Sequence, residues 1–385
     1  MRFPEFSGEW NKYTINDLAT VVGGGTPDTT VKSYWGGDIQ WFTPSEIGKN
    51  KYVDFSKRTI TRDGLDNSSA KLLPLHTILL SSRATVGECS IASNECTTNQ
   101  GFQSLIAKQC NIDFLYYLIQ TKKKDLIRNA CGSTFLEISA NEIRKIKVAV
   151  PVQNEQKQIA KLLSLIDERI ATQNKIIEKL QSLIKGLVDE LMTVLLKGKL
   201  YPFSSFYIKA GEGGTPTTSV VEYYTEGTIP FIKIEDLSCK YLTNNKDFIT
   251  ELGMQKSSAW LIPSKSVIYS NGATIGAISI NEYPVCTKQG ILGIVPNTNI
   301  NVEYLYLLMS SSYFSKEISR IITEGTMKTA YLKDINHIKC PLPSMAQQKN
   351  ITNLTSSIEE KLSIEQELLR FLNLQKQYLL HMIFI

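Results

Sequence analysis

The sequence predicts a mixed α/β (α+β) protein made of two similar domains, each followed by a long helix, with the two helices paired as an antiparallel coiled coil. Two observations carry this prediction. The chain of 385 residues repeats itself at a nearly constant shift, and a long heptad pattern follows each copy. An internal pseudo-two-fold repeat of this kind suggests a target or partner set with matching symmetry, and double-stranded DNA is a common one.

The repeat consists of short motifs that recur 189 residues later, as Thr26-Pro27 does at Thr215-Pro216. Three further motifs recur at the same shift: Ser68-Ser69-Ala70 at Ser257-Ser258-Ala259, Ala84-Thr85-Val86-Gly87 at Ala273-Thr274-Ile275-Gly276, and Gln100-Gly101 at Gln289-Gly290. After the first domain the shift becomes 192, because Pro151 corresponds to Pro343. Solenoid units are only about 20–50 residues long, so these copies are whole domains.

The segment after Pro151 predicts a helix, because residues 155–196 contain no proline and apolar residues recur there at spacings of three and four. The apolar positions of this first stripe are Ile159, Leu163, Ile166, Ile170, Ile177, Leu180, Ile184, Leu187, Leu191 and Val194. The corresponding stripe after the second copy is Ile351, Leu354, Ile358, Leu362, Leu369, Leu372, Leu379 and Ile383. Such stripes must be covered, and pairing of the two helices within the chain covers both; pairing with a second copy of the protein is the alternative.

The second stripe is less regular, because Glu365 and Lys376 interrupt it, and we expect part of it to face solvent or a partner protein. Short apolar runs such as Ile78–Leu80 predict strands in the globular parts. Four segments follow from these patterns: a first domain at 1–150, a first spacer helix at 151–197, a second domain at 198–343 and a second spacer helix at 344–385.

Composition points to an ordinary globular protein with a slight basic excess. The formal net charge is +5, which favours acidic partners only weakly. Seven cysteines occur without a Cys-x-x-Cys pair, as expected for reduced thiols in the cytoplasm. We find no apolar run long enough to span a membrane and no signal-peptide pattern at the N-terminus, and expect a cytoplasmic protein without membrane association.

No catalytic or metal-binding pattern is evident. The three histidines, His76, His337 and His381, lie away from any cysteine or carboxylate cluster at ligand spacing. The run Gly23–Pro27 lacks the spacing and the lysine of a phosphate-binding loop, and its second copy carries Glu212. We interpret it as a flexible turn at the entry of the domain, with contact to a DNA backbone as the alternative. We therefore expect no catalytic residue and no metal site.

The loops after the apolar strands are the better candidates for binding. Small residues frame each loop, and the tips carry side chains that can hydrogen-bond base edges, although a polar surface loop shared by duplication remains an alternative. The candidate DNA-binding residues are Ser82, Arg83, Thr85, Asn99 and Gln100 in the first copy, and Ser270, Asn271, Thr274, Lys288 and Gln289 in the second. Lys122, Lys123 and Lys124 are candidates for phosphate contacts, the alternative being a solvated surface.

These motifs together resemble the specificity subunit of type I restriction–modification enzymes over essentially the whole chain. The matching pieces are Arg2–Phe6 before Trp10, Gly24–Pro27, Ser82–Gly87, Thr98–Gly101, the Pro-x-x-x-Glu-Gln-x-x-Ile element at Pro151–Ile159 and the closing segment Leu379–Phe384. Each is weak alone, whereas their order, their duplication and the helix after each copy are specific. Gly272 and Lys288 depart from Arg83 and Asn99, and Gln347 replaces Glu155.

The resemblance implies a DNA-recognition subunit without catalytic activity of its own. It implies two target-recognition domains, each reading one half of a split, asymmetric site in double-stranded DNA, with the helices fixing the gap. It further implies that methyltransferase (modification) subunits dock on the helices and that a motor–nuclease (restriction) subunit joins them in defence against foreign DNA. S-adenosylmethionine, ATP and Mg²⁺ would belong to those partners, and no cofactor is expected in this chain.

Two other classes of function compete with this one. The first is a coiled-coil scaffold or adaptor whose globular repeats bind proteins; DNA binding that is absent or insensitive to salt would favour it. The second is a hydrolase with an unrecognised site, against which the missing acid, base and nucleophile pattern argues.

Overall fold

A computed structural model describes residues 2–132, 135–272, 274–322 and 328–384. The chain divides into two compact units. Unit 1 comprises Met1–Asn174 together with Glu367–Ile385, and unit 2 comprises Lys175–Gln366. Each unit therefore contains one sheet domain, part of the long helix that follows the first domain, and part of the long helix that follows the second. The predicted mixed fold with two similar sheet domains is confirmed.

The strands of unit 1 are β1 (Asn11–Thr14), β2 (Ala19–Gly23), β3 (Trp35–Phe42), β4 (Tyr52–Val53), β5 (Arg58–Ile60), β6 (Ile78–Leu80), β7 (Cys89–Ala92), β8 (Cys96–Thr98), β9 (Gln103–Ala107) and β10 (Lys147–Val150). They form a five-stranded sheet in the order β2-β9-β6-β7-β4, a three-stranded sheet in the order β5-β3-β8 and the antiparallel pair β1-β10. The shorter helices of unit 1 are α1 (Ile15–Leu18), α2 (Arg62–Asp66), α3 (Ile112–Thr121), α4 (Lys123–Arg128) and α5 (Ala140–Lys145), followed by the long helix α6 (Gln153–Leu195).

The strands of unit 2 are β11 (Leu200–Pro202), β12 (Tyr207–Glu212), β13 (Ile229–Ile232), β14 (Tyr241–Leu242), β15 (Asp247–Ile249), β16 (Val267–Ser270), β17 (Ile278–Asn281), β18 (Cys286–Thr287), β19 (Ile291–Pro296) and β20 (Lys339–Pro341). They repeat the topology of unit 1, with sheets in the orders β12-β19-β16-β17-β14 and β15-β13-β18 and the pair β11-β20. The shorter helices of unit 2 are α7 (Glu251–Gln255), α8 (Val302–Ser310), α9 (Ser312–Ile321) and α10 (Leu332–Ile335), followed by the long helix α11 (Met345–Phe384).

The long helices run antiparallel in each unit. In unit 1, Ile159 and Leu163 of α6 share a core with Leu379 and Ile383 of α11, and Asp167 lies 2.7 Å from Lys376. Ile166 completes this stripe, and Ile170 packs against the same core. In unit 2, the core joins Val188 and Met192 of α6 to Ile351 of α11.

The predicted stripe needs correction near its end. Val194 is 62% exposed, whereas Val188 and Met192 are buried, so the buried face advances by steps of four residues after Ile184. Leu187 and Leu191, predicted to pair, are only partly buried as a result. A straight α-helix repeats every 3.6 residues and drifts away from a strict heptad, which explains the shift.

On α11 the exposed part of the stripe does not lie at the two polar interruptions. Glu365 is 7% exposed and Lys376 is ion-paired to Asp167, so neither of these side chains faces solvent. Leu354 is 53% exposed, and the neighbouring Thr355 takes the buried position. Leu372 and Leu379 are buried, as is Ile177 on α6, whereas Leu180, Ile184, Ile358, Leu362 and Leu369 are partly buried.

A buried lysine fastens each sheet domain to the helix that follows it. Lys51 forms a 2.7 Å ion pair with Asp113 of α3 and donates to Ser164 Oγ of α6 at 2.6 Å. In unit 2, Lys240 lies 2.5 Å from both Glu303 of α8 and Glu359 of α11. The ammonium groups of both lysines are thus used in ion pairs within their own unit.

A buried glutamine makes a second attachment in each unit. Gln156 accepts from Asn111 N at 2.9 Å and donates to Pro151 O at 2.9 Å, which ties the start of α6 to the N-cap of α3. Gln348 accepts from Asn301 N at 2.7 Å and donates to Pro343 O at 2.9 Å, with the same effect on α11 and α8. The Glu-Gln motif therefore has a structural role at the start of each long helix.

The preceding residue of that motif distinguishes the two units. Glu155 is fully buried and accepts hydrogen bonds at 2.7 Å from Arg2 Nε and Nη2, while Trp10 Nε1 lies 3.3 Å away. The N-terminal segment Arg2–Phe6 is held in unit 1 by this pair. Gln347, at the equivalent position of unit 2, instead accepts from Ser344 N. Gln347 thus departs from the motif in the unit that has no N-terminal segment to hold.

Burial predicts which thiols react. Desolvation raises the pKa of Cys89, Cys96 and Cys110 to about 12 and that of Cys286 to about 11, and also raises the pKa of Cys340. The thiolate is the reactive form, so these five thiols should be inert near pH 8.

A thiol-reactive chromophore should therefore count two fast cysteines in the native protein, the exposed Cys131 and Cys239, and seven after denaturation. The C131S and C239S variants should each lose one fast equivalent. Rapid labelling of a third thiol in native protein would contradict the buried assignments.

Candidate nucleic-acid interface

The recurring motifs of the first domain meet in one loop cluster. Gly25 N donates to Thr98 O at 2.8 Å, and Ser82 N donates to Gly101 O at 2.8 Å. The Thr26 hydroxyl donates to Gln100 Oε1. The segments that the repeat shares are therefore neighbours in space, and they surround the ends of β6 and β8.

The glycines of the Gly-rich run are packing residues, which corrects their interpretation as a flexible turn. A Cβ atom on Gly24 would lie 2.0 Å from Asn99 O, and one on Gly25 would lie 2.3 Å from Ala70 N. No real side chain tolerates such contacts with backbone atoms. Gly24 and Gly25 have to be glycine because two other loops pack against their backbone, whereas a Cβ atom on Gly23 would meet only the Gln103 side chain at 3.6 Å.

The second domain uses the same scheme. Gly214 N donates to Thr287 O at 3.0 Å, and Asn271 N donates to Gly290 O at 3.0 Å. A Cβ atom on Gly213 would lie 2.1 Å from Thr287 O. Both copies thus hold their loops with equivalent backbone hydrogen bonds, while the side chains at the tips differ.

One difference between the copies is compensated by a second difference. Gly101 N donates to Asn99 Oδ1 at 2.9 Å, but the second copy has Lys288 in place of Asn99, and a lysine ammonium cannot accept. There, Gly290 N donates to Glu212 Oε1 at 2.7 Å, and Glu212 replaces Gly23. The carboxylate in the second Gly-rich run therefore keeps the turn satisfied.

A further segment that sequence reasoning missed supports each tip. Ile138 N donates to Ser82 O at 2.9 Å, Ala84 N donates to Leu136 O at 3.1 Å, and Arg83 lies 3.8 Å from Glu137. In unit 2, Ala330 N donates to Asn271 O at 2.9 Å. The two supporting segments do not share a sequence motif, so the internal repeat does not indicate them.

Most of the predicted tip residues are accessible. Arg83, Thr85 and Gln100 are exposed in the first domain, and so are Thr274, Lys288 and Gln289 in the second. Ala84 stands at the first tip with a φ of 62°, a left-handed conformation that projects the loop outward. Ala273, the corresponding residue of the repeat, lies outside the described residues. These six exposed side chains remain candidates for base contacts.

Three predicted contacts are contradicted by burial. Ser82, Ser270 and Asn271 are at most 1% exposed, so they cannot reach a DNA groove from these positions. Asn271 Nδ2 donates to Ala330 O at 3.1 Å, and its role is to hold the supporting segment. Asn99 is half-buried and uses its oxygen within the turn.

The lysine run is also only partly available. Lys122 lies 3.9 Å from Asp125, and Lys123 pairs with Glu88. Lys124 is exposed and makes no ion pair within the described part of the chain, which leaves it as the best phosphate candidate of the three.

Neither metal ligands nor membrane spans were found where the structure can be described. No group of three or more histidine, cysteine, aspartate or glutamate side chains is placed to hold a metal ion among the described residues. No helix in the same ranges is both long and apolar enough to cross a membrane.

Fold and site together define a duplicated protein whose two domains present equivalent loop clusters with different tips. Residues 7–182 and 206–373 match the family described as type I restriction modification DNA specificity domain. These ranges include both sheet domains and most of the long helices, so the chain belongs to this family, as the sequence motifs indicated.

Proteins that are similar to this chain in sequence or in fold support the same family. The chain is similar to the type I restriction enzyme MjaIX specificity subunit of Methanocaldococcus jannaschii, with 29% identity over 382 residues, covering 92% of this chain and 88% of the relative. Its fold resembles the crystal structure of the type I restriction–modification S subunit from M. genitalium, with a TM-score of 0.55 at 19% identity, covering 100% of this chain and 99% of that one. A structure solved in work on complex assembly and conformational transition of the type I R-M system matches with a TM-score of 0.60 at 14% identity, over 99% and 98% of the two chains.

The buried Asn271 gives a test of its supporting role. The variant N271A should lower the free energy of unfolding of unit 2 by about 1–3 kcal/mol, because Ala330 O loses a buried hydrogen bond. The matched variant K288A, at an exposed tip position, should change it by less than about 0.5 kcal/mol. Chemical denaturation followed by tryptophan fluorescence measures both. Equal stability of N271A and K288A would contradict the supporting role.

Proposed function

We propose that each sheet domain reads one half of a split, asymmetric DNA sequence through its loop cluster. The observation that carries this proposal is the pair of loop clusters with one backbone hydrogen-bond scheme and different exposed tips. A shared frame holds each loop in place, while the tips differ where Arg83 corresponds to Gly272 and Asn99 to Lys288, as two readers of different half-sites should. Arginine, glutamine and lysine suit base edges in the major groove.

The helices α6 and α11 supply the second part of the proposal. A rigid helix pair fixes the number of base pairs between the half-sites, and its exposed faces offer docking positions for the modification subunits. The restriction subunit joins through that assembly. These helices carry large apolar side chains that are exposed, among them Leu183 and Phe371. Exposed apolar side chains of this size are typical of a surface that binds another protein.

Catalysis is assigned to the partners. S-adenosylmethionine, ATP and Mg²⁺ would be bound there, and this chain would contribute recognition and assembly in the cytoplasm. The scaffold alternative accounts for the helices but gives no reason for two loop clusters of one design with different tips.

The proposal predicts a half-site defect for a single tip substitution. In a complex reconstituted with its modification subunits, R83A should relax or abolish recognition in one half-site and leave the other unchanged. A bidentate base contact is worth about 1–3 kcal/mol, which corresponds to roughly five- to 150-fold discrimination. Methylation of a DNA library with randomised half-sites measures the effect.

The matched control is R62A, because Arg62 is exposed in the same domain and pairs with Asp66 within α2. R62A should retain the full motif. An unaltered motif for R83A, or loss of both half-sites together, would contradict independent reading by the first domain.

A further inference from the structure

A cavity of about 820 Å³ lies in unit 2 at the point where the buried lysine fastens the domain to α11. Its walls include Ile184 and Val188 of α6, Glu359 and Leu362 of α11, and Cys239 beside β14. Apolar side chains cover part of the cavity wall, and the rest is polar and includes three carboxylates, Asp189, Glu359 and Glu360, against two lysines, Lys185 and Lys240. All of these residues belong to unit 2.

The equivalent place in unit 1 holds a lysine. Lys376 of α11 lies 2.7 Å from Asp167 of α6, and the Tyr117 hydroxyl donates to the same carboxylate at 2.6 Å. The helices repeat at a shift of 192 residues, which makes Glu359 the counterpart of Asp167 and Ile184 the counterpart of Lys376. Leu307 replaces Tyr117. Both groups that serve the carboxylate in unit 1 are thus replaced by apolar side chains in unit 2.

The charges of the two clusters show the same difference. In unit 1, the ion-paired cluster has two lysines, Lys51 and Lys376, against Asp113 and Asp167. In unit 2, among the described residues, Lys240 pairs with both Glu303 and Glu359. The second cluster therefore lacks one positive charge. Its carboxylates are largely buried, with exposures of 25% and 19%, so water compensates them poorly.

The raised pKa of Lys240 indicates an excess of negative charge around its ammonium group. Burial opposes the charge of the ammonium, but hydrogen bonds to Glu303 and Glu359 outweigh that cost and hold the pKa of Lys240 above its usual range. Lys185 also lines the cavity, but it is exposed and makes no ion pair within the described residues.

We propose that the cavity receives one lysine or arginine side chain of the modification subunit, with Glu359 as its carboxylate partner and the apolar walls covering the flanking residues. This proposal rests on the proposed function and adds a location and a chemistry to the docking of that subunit. The cavity is larger than a single side chain, so the inserted base would arrive with apolar neighbours packed against Ile184, Val188 and Leu362.

Supplying the missing charge from within the chain tests the proposal. The variant I184K recreates the lysine of unit 1, and I184M is the matched apolar control. I184K should weaken binding of the purified modification subunit by about tenfold or more, as loss of a desolvated charge contact does, whereas I184M should bind within about twofold of the unsubstituted chain. Equal affinity for I184K and I184M would overturn the proposal.

A second measurement uses the unsubstituted chain, so it does not require the I184K variant to fold. Cys239 lines the cavity and is exposed, whereas Cys131 is exposed in unit 1. Saturating modification subunit should slow alkylation of Cys239 by about tenfold and leave Cys131 unchanged; an unchanged rate at Cys239 in a demonstrated complex would overturn the proposal. Protection of Cys239 by higher concentrations of this chain alone would assign the cavity to a second copy and overturn it too. Absence of any complex with the unsubstituted chain would instead count against the proposed function.

Discussion

The attachment of each sheet domain to its long helix is the interaction on which the rest of the structure depends. A loop cluster can report on one DNA half-site only if its orientation relative to the helix is fixed. Two buried contacts per unit provide this, a lysine paired with carboxylates and a glutamine that bridges the helix start to the N-cap of α3 or α8. Buried polar contacts are costly unless fully satisfied, and here each has a defined set of partners, which favours one orientation over alternatives.

The same principle explains how the loops can vary. Main-chain hydrogen bonds and packed glycines hold much of each cluster, so exposed tip side chains such as Arg83 and Lys288 are not needed to hold the loops. Where a tip change does disturb the frame, a second change restores it, as Glu212 does for the turn that Lys288 cannot satisfy. Recognition can therefore change while the fold is retained, a property suited to a domain whose partner is a particular sequence.

Much of the architecture could be predicted from the sequence because repeats and heptads are long-range patterns. The 189-residue shift identified two domains, and the stripe from Ile159 to Ile177 identified the buried face of α6. The loop positions were also correctly placed at the ends of β6 and β16, but the orientation of single side chains was not. Ser82 and Asn271 look like tip residues in sequence, yet the supporting segments cover them.

The roles of individual charges could not be predicted for a similar reason. Lys51 and Lys240 have the sequence context of surface bases, and Lys376 interrupts an apolar stripe; only the folded chain shows that their carboxylate partners lie on elements far away in sequence. Composition counts such residues as part of a basic surface. Because they form internal ion pairs, these lysines are not available to bind DNA. Lys124 and Arg83 are among the exposed basic residues that could still contact it.

The central claim is that each domain reads its own half-site while the frame stays constant. The most direct test is to exchange residues 1–150 for the corresponding domain of another family member and map the methylated positions in a genome that carries the hybrid with its partner subunits. The account predicts a motif with one new half, one retained half and an unchanged gap. A motif altered in both halves, or in neither, would contradict it.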